Sequence, residues 1–174
     1  MGNEVRIPPI YGEDYEFQWG KVDYTGKVVL DIGCDFGSTA DFFLRKGAFL
    51  VVCVDNNREY IDKLYELRNK FFLPIIGLCL DMSDSSLWSK LINLYRPTVV
   101  KSDCEGCERA LYKVPEEEIR KVPEYIIECH GDCIDILKEK FSKCNYILVD
   151  ENPWAGKSAT IIYWTKDVSL KNSK

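Results

Sequence analysis

The sequence predicts an α/β fold, a sheet of mainly parallel strands with an antiparallel C-terminal strand. Three observations carry this. Apolar runs of strand length alternate with helical patterns five times, and two further runs then follow in succession. Four of the runs lead into an aspartate, at positions 31, 55, 81 and 103. Residues 1–174 show neither an internal repeat nor a low-complexity break, so one domain with a substantial core is expected.

The elements follow in order. Residues 1–24 form a proline- and aromatic-rich leader whose Tyr11, Tyr15, Phe17, Trp19 and Tyr24 read as core or lid packing. "KVVLDIG" (27–33) is β-branched and aliphatic and ends in glycine. "STADFFLRKG" (38–47) has a serine that can cap a helix and a glycine that can stop it. "FLVVCVD" (49–55) is strand-like, and residues 57–71 put Ile61, Leu64, Tyr65 and Leu67 on a helical stripe. "PIIGLCLD" (74–81) is the third strand. Ser83 to Tyr95 is helical, with Leu87, Leu91 and Leu94 on one side. "PTVVKSD" (97–103) is the fourth strand, and "ERALYKV" with "EEEIRKV" makes one or two short helices. "EYIIECH" (124–130), helical "IDILKEKF" (134–141), "NYILVDE" (145–151) and "ATIIYWTK" (159–166) complete the series, with "ENPWAGKS" (151–158) as a loop. Right-handed crossovers bring the C-terminal ends of parallel strands to one edge, where ligands of such sheets bind.

Composition narrows the function. Hydrophobic residues make up 46% and charged residues 29%, which is a globular balance and not a disordered one. No apolar run is long enough for a membrane span. The first seventeen residues carry acids early and lack an apolar signal core, so a cytoplasmic protein is expected. Net charge is −5 and the lysines and arginines are scattered among acids. Nucleic-acid binding needs clustered basic residues to displace counterions, so nucleic acid is disfavoured as a partner. A single Gln, a single His and abundant Lys, Glu, Ile and Tyr resemble thermophile usage, and a cytosol of that kind permits disulfides.

"DIGCDFG" sets Asp31, Gly33, Cys34 and Gly37 at the first strand-to-helix turn, where glycine lets a ligand approach the backbone. It departs from the dinucleotide pattern G-x-G-x-x-G because Asp35 stands at the middle glycine. An acid there suits a cation better than a pyrophosphate. Asp55 ends the second strand, where a carboxylate can accept both ribose hydroxyls. Asp81 can accept from an adenine amino group, and Met82 can pack on the ring. Such a set fits S-adenosylmethionine, whose ammonium and sulfonium both favour an acidic pocket. The plain alternative is a row of helix-capping acids.

With these motifs the chain resembles class I S-adenosylmethionine-dependent methyltransferases, and within them the FkbM-type family. That family's first motif is similar to D-x-G-A-N-x-G, here "DIGCDFG" with Cys34 and Asp35 at the Ala and Asn positions. Its K-x-D-x-E-G-x-E motif after the fourth strand is matched at every fixed position by "KSDCEGCE" (101–108). The family's E-x-H is matched by Glu128 and His130 in "IIECHG". The likeness spans residues 24–150. Two departures stand out: Asp55-Asn56 replaces a common Glu-Pro, and the chain is short for a substrate-binding insert.

The resemblance implies a Rossmann-like methyltransferase sheet in which the fourth and fifth strands are neighbours. Were residues 97–105 extended, Lys101, Asp103 and Glu105 would share a face at period two, as Glu128 and His130 do on the next strand. Asp103, Glu105 and His130 would then converge at the transferred methyl as the catalytic residues. His130 is a candidate general base, Asp103 an orienting group and Glu105 a ligand for the acceptor. The plain alternative has Glu105 and Glu108 capping the next helix and His130 bonded structurally.

The cysteines offer competing sites. Cys104, Cys107, Cys133 and either Cys129 or His130 have zinc-like spacing, and Cys107–Cys133 could form a disulfide. Period two points Cys104 and Cys129 away from the acids, and a helix after Glu105 would separate Cys104 from Cys107. The cysteines therefore read as incidental, and no metal is expected. The function expected is O-methylation of a small sugar, polyol or related metabolite. N-methylation of nucleic acid or protein is the alternative, and a non-catalytic S-adenosylmethionine-binding module is the rival from another class.

Overall fold

The structure is a computed structural model that describes residues 5–9, 13–153 and 159–169. Tyr11 of the leader and residues 154–158 of the expected loop lie outside the described residues. Contacts group the chain into two compact units, Met1–Asp81 and Met82–Lys174.

The first unit contains α1 (Tyr15–Trp19), β1 (Val28–Ile32), α2 (Ser38–Arg45), β2 (Leu50–Asp55), α3 (Arg58–Phe71) and β3 (Ile75–Cys79). Its strands run parallel in the order β3-β2-β1, with Ile32 beside Val54 and Asp55 beside Cys79. The C-terminal ends therefore share one edge. Val29, Leu30, Val51, Val52 and Val54 are fully buried, as continuous apolar runs of a covered parallel sheet should be. The leader aromatics Tyr15, Trp19 and Tyr24 are buried, and Tyr24 packs on Phe43 at 4.6 Å between ring centroids. They serve as core. Ser38 does not cap α2: Gly37 holds the cap position, and the Ser38 hydroxyl lies 2.7 Å from the Tyr15 hydroxyl.

The second unit contains α4 (Ser85–Tyr95), β4 (Val99–Ser102), a 3-10 helix (Cys107–Lys113), α5 (Glu116–Ile119), β5 (Glu124–His130), α6 (Cys133–Lys143), β6 (Ile147–Pro153) and β7 (Ala159–Thr165). Its strand order is β4-β5-β7-β6, with β4 parallel to β5 and β7 antiparallel to both of its neighbours. The α4 helix starts at Ser85 because the Asp84 carboxylate accepts from the Ser86 N–H at 2.8 Å. Leu94, expected on the buried side, is 70% exposed, and Trp88 is buried in its stead. Trp88 anchors α4 through its indole N–H, which donates to the Met82 carbonyl at 2.7 Å. Phe141 stacks on Trp164 at 4.4 Å and meets Tyr125 edge-on at 4.8 Å, joining α6 to the sheet. No helix among the described residues is long and apolar enough to cross a membrane.

Candidate functional site

The first-unit turn is fastened tightly. Gly33 takes φ +70° and its N–H donates to the Val54 carbonyl at 2.9 Å, as does the Cys34 N–H at 3.3 Å. Asp31 is fully buried and accepts the Thr39 hydroxyl at 2.6 Å, which ties β1 to α2. Cys34 is also fully buried, and burial beside Cys53 pushes its thiol well up, so it stays protonated. Gly37 has φ +95°, and a Cβ there would lie 2.3 Å from Leu64 Cδ1. Its glycine is required by packing and backbone conformation. Met82 is buried and holds the Trp88 indole through its carbonyl. Asp31, Cys34 and Gly37 thus build the first unit around its strand ends, and Met82 anchors α4 in the second.

Gly33, Asp55 and Asp81 remain reachable from solvent. Asp55 accepts the Asp35 N–H at 3.0 Å through one oxygen and the Asn57 N–H at 2.8 Å through the other. A carboxylate has about four lone-pair sites, so each oxygen keeps one for a ligand. Asp81 is exposed just beyond β3. The donor set of this edge fits a nucleoside with hydroxyls and an amino group, and an acidic turn fits a ligand carrying positive charge.

In the second unit, β4 and β5 pair as far as Ser102 and Ile127, and β5 continues to His130. Its last residues are backed by β7, with Glu128 opposite Ile161 and His130 opposite Ala159. Glu128 and His130 therefore share a face beyond the point where β4 ends. The chain leaving β4 does not stay extended as expected. Glu105 takes φ +54° and Gly106 φ +122°, and the 3-10 helix begins immediately afterwards. This reversal closes a Cys104–Cys107 disulfide, with the two Cα atoms 5.5 Å apart. The expectations that a helix separates those cysteines and that the cysteines are incidental are corrected, and the possible Cys107–Cys133 bridge does not form. A zinc site using Cys104 and Cys107 is excluded by the same bond. Cys133 is free and buried, hydrogen-bonded to Cys129.

Asp103, Glu105 and His130 still come together, by the turn and not by strand periodicity. One ligand-capable atom from each lies within 4.8 Å of the others. His130 Nε2 is 3.4 Å from Glu105 Oε2 and 3.6 Å from Glu128 Oε1. Its Nδ1 is 3.1 Å from Glu108 Oε1. Glu108 is fully buried, and it also accepts the His130 N–H at 3.2 Å and the Gly106 N–H at 2.8 Å. A carboxylate only accepts, so the Nδ1 carries a proton and Nε2 faces the remaining acids.

Charges follow the contacts. The hydrogen bond to Glu108 outweighs partial burial and, with Glu105 and Glu128 nearby, raises the His130 pKa to about 9. Burial pushes Glu108 up, yet hydrogen bonds from His130 and the backbone prevail and leave it below the ordinary glutamate value. Glu108 is a fixed position of the motif and, on the plain alternative, a helix cap; it is absent from the expected catalytic set. The E-G-x-E spacing carried the signal, because Glu108 follows the reversal and is drawn beneath His130.

No model of a known protein family matches the chain. Uncharacterized protein 158B of Sulfolobus islandicus rod-shaped virus 1 is 27% identical over 146 residues, covering 82% of this chain and 87% of the viral protein. Uncharacterized protein 65 of a Sulfolobus islandicus filamentous virus is 30% identical over 101 residues, 58% of this chain and 60% of that one. Among solved structures, M. capricolum TrmK in complex with S-adenosyl-homocysteine has a TM-score of 0.66 at 14% identity, over 85% of this chain and 65% of TrmK. A putative RNA methyltransferase from Pyrococcus horikoshii has a TM-score of 0.58 at 20% identity, over 87% of this chain and 79% of that one. The fibrillarin pre-rRNA processing protein of Methanococcus jannaschii has a TM-score of 0.60 at 14% identity, over 83% and 68%.

One expectation is overturned here. Scattered basic residues were taken to disfavour nucleic acid as a partner, yet proteins described as RNA methyltransferase and pre-rRNA processing protein share this architecture. A dispersed charge pattern is therefore no ground for setting nucleic acid aside. The strand order, the edge acids and these likenesses agree on one conclusion: the chain has the α/β, Rossmann-like methyltransferase fold.

Proposed function

We propose that this protein is an S-adenosylmethionine-dependent methyltransferase whose acceptor is a nitrogen of an RNA base. The observation that carries the reading is Asp55, a strand-end carboxylate with lone pairs to spare on a methyltransferase fold. The RNA acceptor is supported by the neighbours described as acting on RNA. The finer FkbM-type reading is supported by the motif residues Asp103, Glu105, Gly106 and Glu108, which all take part in the second-unit cluster.

Bound S-adenosylmethionine supplies a methyl group on a sulfonium, which departs as the neutral thioether when the acceptor attacks. Asp55 would hold the ribose hydroxyls, and Asp81 would accept from the adenine amino group. Glu105, whose side chain is 83% exposed, reaches the acceptor, and His130 steers it from 3.4 Å. Asp103 or Glu105 would take the proton that the base nitrogen gives up on methylation. Positioning the nitrogen in line with the methyl accounts for most of the acceleration.

The test is calorimetric titration of the full chain with S-adenosylhomocysteine, followed by labelled-methyl transfer to RNA, protein and polyols. Asp55→Ala should weaken binding by about 1.5–3 kcal/mol, the value of hydrogen bonds to a charged group. Label should enter RNA. Absence of binding by the folded wild type ends the methyltransferase reading, and label in polyols alone ends the RNA reading.

A further inference from the structure

We propose that Asp103, Glu105 and His130 form a binding site for one divalent cation, contrary to the expectation that the chain uses no metal. This rests on the second unit's geometry and does not depend on the methyl-transfer reading.

The first observation is convergence. Ligand-capable oxygens of Asp103 and Glu105 and a ring nitrogen of His130 lie within 4.8 Å of one another. Two ligands on opposite sides of an ion, with bonds of about 2.0–2.6 Å, stand at most about 4–5 Å apart. The span is right for one ion. Glu105 is exposed and has the freedom to draw in, whereas His130 and Glu128 are fixed on a strand paired with β7.

The second observation concerns the histidine's far side. A metal-binding imidazole characteristically gives its other N–H to a carboxylate, which fixes the tautomer and aims the lone pair. Glu108 supplies that carboxylate, fully buried and 3.1 Å from Nδ1. Two backbone N–H groups hold Glu108 in turn, those of Gly106 and His130. Nε2 is thereby aimed at Glu105 and Glu128, which present only acceptor oxygens. One imidazole nitrogen and carboxylates from two elements thus converge on one point, a donor set that suits a cation.

The third is charge. Glu105, Glu108 and Glu128 surround one imidazole, and Glu128 is only 2% exposed. Mixed imidazole and carboxylate ligands suit first-row divalent ions, and exclude the thiolate-rich pattern of a structural zinc site. Glu128, behind Nε2, completes the cage or accepts from a water on the ion.

The experiment titrates Mn2+ into the chelator-stripped full chain and follows the loss of free Mn2+ by electron paramagnetic resonance. One Mn2+ per chain is expected. Asp103→Asn and His130→Ala should each lower affinity at least roughly tenfold, and Glu108→Gln by roughly 10–100-fold through misaiming the imidazole. Circular dichroism confirms folding, and Asp103→Asn alone decides the matter if His130→Ala fails to fold. Absence of stoichiometric binding by folded wild type overturns the proposal, as does binding indifferent to Asp103→Asn. S-adenosylhomocysteine affinity of the stripped protein is measured in parallel, so a failed cation site and a failed cofactor site are told apart.

Discussion

The two units hold their carboxylates in opposite ways. In the first, acids are secured by donors: Asp31 by the Thr39 hydroxyl, and Asp55 by two backbone N–H groups. In the second, Glu105, Glu108 and Glu128 close on a single imidazole. A carboxylate ringed by donors presents a lone pair to a neutral or cationic ligand one at a time. Carboxylates ringed around one base create a field that demands positive charge. The first arrangement suits hydroxyl and amino groups, and the second suits positive charge.

The largest expected effect tests whether the second arrangement is organised from beneath. Glu108→Ala strands the His130 ring and two backbone N–H groups, and should cost about 3 kcal/mol in urea unfolding. A loss below about 1 kcal/mol, within reach of a single ordinary hydrogen bond, would show that Glu108 is no keystone. The matching probe of the first unit is Gly37→Ala, which pushes a Cβ into Leu64 at a φ of +95°. Overpacking and backbone strain together should cost about 2–3 kcal/mol, and a neutral melting temperature would mean the turn relaxes freely. Smallest is Cys104→Ser, which opens a bridge spanning three positions. So short a loop restrains the unfolded chain by about 2 kcal/mol at most. A greater loss than that of Glu108→Ala would shift the organising role from the buried carboxylate to the disulfide.

Much of the first unit was legible because its chemistry sits on regular elements. Apolar runs ending in Asp31 and Asp55 became parallel strands in matched register, so their ends fell on one edge. Periodicity failed where a side chain's partner lies on another element. Ser38 reads as a cap from its neighbours alone, yet it meets Tyr15. Leu94 fits a helical stripe, but Trp88 has the larger apolar area to bury and sets the helix's rotation. In the second unit the right residues were found by the wrong geometry. Extended backbone was expected through Glu105, and two successive positive φ values replaced it. Positive φ is cheap for Gly106 and costly for Glu105, and nothing in local pattern announces that Glu105 pays it. That reversal also buried Glu108 and paired Cys104 with Cys107, and strand periodicity shows neither.

The position of β7 has a consequence for the order of assembly. It is the last strand among the described residues, yet it lies between β5 and β6, hydrogen-bonded to both. Its pairing with β6 is local, Pro153 lying beside Thr160, whereas its pairing with β5 sets His130 beside Ala159 across a longer stretch of chain, and non-local pairing of that kind is the slower. The far end of β5, where Glu128 and His130 stand, is backed by this late arrival at Ile161 and Ala159. A chain halted before residue 159 would carry every acid of the cluster with no wall behind them.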